Sequence, residues 1–98
     1  MPYFIESFDK PAHQHIREQL RAEHLRFLDE HKAKLLACGA KLNEDGSNAG
    51  GGVYLIDVDT RKAAEQFIAQ DPFANAGLFE RVNIVKWRMA YLDGKGYL

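Results

Sequence analysis

The sequence predicts an α+β domain whose elements run β-α-β-β-α-β. Three observations carry this. Short segments rich in aromatic and β-branched residues stand at 3–8 (YFIESF), 53–58 and 81–89. Two intervening stretches, 13–37 and 60–70, place apolar residues at helical spacing. A stretch with four glycines, 44–52 (EDGSNAGGG), separates two strand candidates as a β-β connection.

Each element has a local reason. Asp9-Lys10-Pro11 ends the first strand; Asp suits a helix cap and Pro a first helical turn. No Gly or Pro interrupts 13–37, and Ile16, Leu20, Phe27, Leu28 and Leu35 recur at helical spacing, which predicts one long helix. Cys38-Gly39 is expected to close it with a left-handed C-cap, leaving 39–43 for a short strand. Val53 to Val58 is the next strand. Thr60 is placed to cap a second helix through Gln70, with Ala63, Ala64, Phe67 and Ile68 inward. Asp71-Pro72 breaks that helix, because the residue before Pro avoids helical backbone. Ala74–Gly77 gives one further turn, Arg81–Met89 the last strand, and 91–98 a tail.

This order is the ferredoxin-like pattern, a four-stranded antiparallel sheet with two helices on one face. The last strand offers Val82 and Ile84 to one side and Val85, Trp87 and Met89 to the other. Two helices cover one face only, so the sequence predicts a homodimer packed sheet to sheet.

With 98 residues and a 46 % hydrophobic share, the chain makes one domain, 1–98. Thirteen basic against 14 acidic residues give a net charge of −1, which argues against nucleic acid as a partner. No apolar run approaches the roughly 20 residues of a membrane span. One cysteine, Cys38, excludes an internal disulfide and suits a reducing, cytoplasmic setting; it is expected to be a buried structural thiol. His13 and His15 would point about 200° apart on a helix, so joint metal binding is not expected. The glycine stretch lacks a Walker lysine and leads into a strand, so it is read as a connection bordering a pocket. The charges on the first helix (Arg17, Glu18, Glu23, Arg26, Asp29 and Glu30) are read as a solvated face.

His24 is the residue that needs explaining. At about 100° per residue it falls inside the apolar arc of Ile16, Leu20, Phe27 and Leu35. His31 projects into the same arc, so position alone does not single His24 out. Arg21 lies one turn before His24, where it can hold an anion and depress the imidazole pKa. A neutral imidazole is a competent base near neutral pH. Asp71, at the break after the second helix, either starts the Pro72 turn, orients a histidine or acts as acid/base itself.

The stretches RAEHLRFL, LLACGA and DPFANAGLFERVNIVKWR resemble the YciI-like (YCII domain) family over residues 3–88. Its pattern is met by Arg21-x-x-His24, Gly39, and Asp71-Pro72-Phe73. The sequence departs from it at Ala40, where many relatives carry Pro, and in the tail YLDGKGYL. The resemblance implies a dimeric α+β barrel and makes His24 and Asp71 the active-site pair. One branch of that family is similar to dehydrochlorinases of chlorinated hydroquinones. The expectation is acid/base chemistry of lyase or isomerase type on a small organic molecule. His24 would move the proton and Asp71 orient or charge-stabilise it, while Arg21 would hold an anion or position Asp71 and Phe73 would contact the ligand; neither metal nor organic cofactor is required. The competing expectation is a non-catalytic binding module of the same fold.

Overall fold

The computed structural model describes residues 2–98. A four-stranded sheet is ordered β2-β3-β1-β4, with every neighbouring pair antiparallel. Its strands are β1 (Tyr3–Asp9), β2 (Leu35–Leu42), β3 (Asn48–Ile56) and β4 (Phe79–Lys86). Helices α1 (Gln14–Gln19) and α2 (Arg21–Glu30) link β1 to β2; α3 (Arg61–Ala69) and the short α4 (Pro72–Asn75) link β3 to β4. Tyr3 and Ile5 of β1 and Tyr54 and Ile56 of β3 form the inner face, closed by Phe27 of α2 and Ala64, Phe67 and Ile68 of α3. The Phe27 and Phe67 rings meet at 5.2 Å across the two helices, a tilted aromatic contact.

The second half of the chain follows its local signals closely. Thr60 caps α3 by accepting the Ala63 N–H at 3.1 Å. Ala64, Phe67 and Ile68 are buried, while Ala63 is half-buried. Asp71 caps α4 in the same way, with Pro72 opening the helix.

The first half departs from expectation. The long helix ends at Glu30, and Leu35–Leu42, which continues the apolar pattern, is a strand. His31 ends the helix: its Nδ1 donates to the Phe27 carbonyl at 2.9 Å and its backbone N–H to the same residue. The same N–H also reaches the Leu28 carbonyl at 3.1 Å, the i−3 pairing that tightens a last helical turn. Gly39 is therefore a strand residue and not a C-cap, and its φ is not among the positive ones. Leu20 (φ −103°, ψ 12°) divides the helical stretch in two. Asp9 caps no helix among the described residues; it ends β1 and pairs with Arg17. His13 lies outside α1 as its N-cap residue, so its ring stacks on His15 at 6.1 Å instead of pointing away.

The glycine stretch is mostly strand, not loop. Ser47 N–H and Oγ–H bind Asp45 in a tight turn, and Gly50, Gly51 and Gly52 lie in β3. Gly51 has φ +151°, and a Cβ there would stand 2.0 Å from the Ser7 carbonyl oxygen. Gly52 N–H donates to the buried Ser7 Oγ at 2.9 Å. At the other end β4 stops at Lys86, before Trp87 and Met89. The tail forms a small hairpin, β5 (Tyr91–Leu92) and β6 (Lys95–Gly96). Asp93 and Gly94 turn it with φ of 53° and 77°, as a two-residue hairpin demands. No helix among the described residues is long and apolar enough to cross a membrane.

Candidate active site

The inner face of the sheet leaves a cleft of about 430 Å³ between α1–α2 and the β2–β3 edge. His24 reaches it from α2 and Tyr54 from β3, while Gly39, Ala40 and Gly52 form a thin strand-side wall. These small residues make room: a Cβ on Gly52 would crowd the Gly39 carbonyl at 3.0 Å.

At the back of the cleft His24 and Asp71, 47 residues apart, come together with Nδ1 to Oδ1 at 3.0 Å. The Asp71 carboxylate is fully buried and accepts two further bonds. The Phe73 N–H donates to Oδ1 and the Tyr54 hydroxyl to Oδ2, each at 2.9 Å. A helix cap, a strand tyrosine and a helix histidine thus fix one carboxylate from three elements. Because the carboxylate accepts, His24 donates through Nδ1, and in the neutral ring that tautomer puts the lone pair on Nε2. The His24 side chain is 13 % exposed, and its ring stacks on Phe73 at 4.1 Å and 16°. Burial above all, and then the Asp71 charge and hydrogen bond, raise the Tyr54 pKa far beyond the tyrosine range. Tyr54 therefore remains a donor at any working pH.

The other sequence-derived site residues fare differently. Phe73 borders the cleft but is only 1 % exposed; its ring supports His24 from behind. Arg21 lines the cleft as an exposed side chain and, among the described residues, makes no hydrogen bond to His24 or Asp71. The positioning of Asp71 falls instead to Tyr54 and the Phe73 N–H. Cys38 is exposed on strand β2 and lines the cleft, so the expectation of a buried structural thiol is corrected. Cys38 stands on an edge strand, not at a helix end, and such a strand turns alternate side chains to the cleft. Partial burial and, second, the Asp71 charge push its thiol pKa up. No group of three or more His, Cys, Asp or Glu side chains that could hold a metal ion occurs among the described residues.

Sequence reasoning missed Arg17, which it assigned to the solvated face. Its side chain is 12 % exposed and is paired twice with Asp9, Nε to Oδ2 and Nη2 to Oδ1, both at 2.9 Å. Its guanidinium lies 4.7 Å from the Phe73 ring centre, and the residue lines the cleft. A signal was available: Arg17 precedes His24 by seven residues, nearly two turns, which returns it to within about 20° of the same face. Arg21, three residues away, is rotated by about 60°.

No curated protein matches the sequence significantly. Among solved structures, the chain is similar to 5-chloro-2-hydroxyhydroquinone dehydrochlorinase from Burkholderia phenoliruptrix, in complex with 2,5-dihydroxybenzoquinone. The TM-score is 0.82 at 27 % identity, covering 90 % of this chain and 94 % of that one. The fold alone is shared with PA3566 of Pseudomonas aeruginosa (TM-score 0.53, 16 % identity, 91 % and 93 % covered). It is shared also with Atu4242 of Agrobacterium tumefaciens (TM-score 0.52, 12 % identity, 95 % and 98 % covered). The model of the YCII-related domain matches residues 1–88, so the chain belongs to the YCII-related domain family, with an α+β ferredoxin-like fold.

Proposed function

We propose that the protein is a cofactor-independent enzyme of lyase or isomerase type that works on a small cyclic organic molecule. The observation that carries this is the His24–Asp71 pair at 3.0 Å on the wall of an open cleft. Asp71 fixes the ring and its tautomer, and Nε2 of His24 takes a proton from the substrate. In an elimination the electron pair of the broken bond to hydrogen moves into the ring, and the leaving group departs with its own pair. The proton passes from His24 to water, so neither oxidant nor metal is consumed. The likeness to a dehydrochlorinase supports a hydroxylated, halogenated ring as the first substrate class to test.

We further propose that two copies pair through the open faces of their sheets in the cytoplasm. Phe4, Val53 and Leu55 are only half-buried there and Val85 is 50 % exposed, which supports a covering partner.

The test is turnover of chlorinated hydroxyhydroquinones, followed by chloride release, in wild type and His24→Ala. Removing a general base costs about 10²–10⁴-fold in rate. A His24→Ala variant as fast as wild type overturns the reading. Wild type that binds such rings without turnover favours the binding module instead.

A further inference from the structure

We propose that Arg17 is the anchor for an anionic ring oxygen of the ligand, and that it thereby sets which ring atom meets His24. The inference rests on reading the cleft as the place where His24 works. Asp9 holds Nε and Nη2 of Arg17, leaving Nη1 and the second Nη2 hydrogen without a protein partner among the described residues. No buried side-chain nitrogen or oxygen among those residues lacks a hydrogen-bond partner. The unpaired Nη1 is therefore not sealed in protein, and the open space beside Arg17 is the cleft.

Arg17 and His24 share one support. The Phe73 ring centre is 4.7 Å from the Arg17 guanidinium and 4.1 Å from the His24 ring centre. The two groups thus stand no farther apart than those distances laid end to end, which one aromatic ring with an oxygen substituent can bridge. The Asp9 carboxylate offsets the charge of Arg17, so the anchor acts through fixed N–H donors and not through net field. An anionic oxygen accepts such donors more strongly than a neutral one. Glu18 and Arg21 also line the cleft; both are exposed, and their charges oppose each other. Among the described residues Arg21 has no partner to hold it, so binding would have to freeze its rotamers; Arg17 is already fixed.

The experiment measures calorimetric affinity for 2,5-dihydroxybenzoquinone, an anion at neutral pH, and for its neutral dimethyl ether. It compares wild type, Arg21→Gln, and a double variant Asp9→Asn/Arg17→Gln that removes both charges of the pair together. Wild type is expected to prefer the anion. The double variant should lose about tenfold or more in affinity for the anion and much less for the ether. Arg21→Gln should leave the preference in place. If the double variant does not fold, Arg17→Lys carries the test: it keeps a cation for Asp9 but lacks the free Nη1 donors. The proposal is overturned by unchanged anion affinity in whichever of these two variants folds, by loss of the preference in Arg21→Gln, or by wild type that binds neither probe or shows no preference. His24→Ala separates the two readings, since it should keep the anion preference even if no turnover is ever found.

Discussion

Asp71 is fully buried, and its two oxygens depend on three donors from three elements. Removing one leaves part of a buried carboxylate unsatisfied. Tyr54→Phe keeps the ring and deletes only the hydroxyl, so it is expected to cost about 1–3 kcal/mol. For a domain of this size each kcal/mol lowers Tm by about 4–8 °C, which a thermal melt resolves. Tyr54 also has a pH signature. Its pKa is raised above the ordinary 10.0, by burial first and by Asp71 second, so the folded chain keeps a proton that the unfolded chain loses. Stability must then fall as pH climbs past the ordinary tyrosine value. Tyr54→Phe should flatten that decline; a slope equal to wild type would contradict the assignment. Arg17 gives the lesson of this scale. Its charge reads as surface because its partner, Asp9, sits in a strand eight residues earlier, and only the turn between them folds the two together.

Elements differ in how far local chemistry decides them. The caps at Thr60 and Asp71 and the Asp71-Pro72 break are written in two or three residues each, and α3 and α4 follow them. The β2 strand is not written so. Leu35, Leu36 and Ala37 serve a helix or a strand equally, and pairing with β3 decides. The glycines of β3 read as a loop, yet the strand needs them because β1 and β2 press close. Gly51→Ala would drive a methyl onto the Ser7 carbonyl at a φ that side chains avoid. We expect at least about 2 kcal/mol of lost stability, seen as a lower urea midpoint. An alanine variant as stable as wild type would show that β3 shifts there at little cost. The tail 91–98 reads only as a tail, yet its Asp93-Gly94 dipeptide is the kind that turns a two-residue hairpin, and it does so here.

At the scale of the whole molecule the sheet has one covered and one open face. The open face carries Phe4, Val53, Leu55 and Val85 at one end. At the other, Lys41 pairs with Glu6 at 3.2 Å and lies 3.7 Å over the Phe8 ring, with Arg81 at 4.0 Å from the same ring. A second copy would bury the apolar end and meet the Lys41–Glu6 pair and Arg81 at the other. Light scattering at micromolar concentration should return twice the chain mass, and Leu55→Asp should return the monomer; a wild-type monomer would remove the dimer. The sequence by itself determined the α+β order, the inner face of α3, the caps around Asp71 and the family pattern that marks His24. Those depend on spacing and on bonds within a few residues. The tertiary structure alone decided where the first helix stops, that Cys38 faces a cleft, and that Arg17 belongs to it. It alone decided, too, that Tyr54 and His24 share one carboxylate. The reason is physical: contacts between residues 17 or 47 positions apart leave no periodic trace, and they exist only once the sheet has set its register.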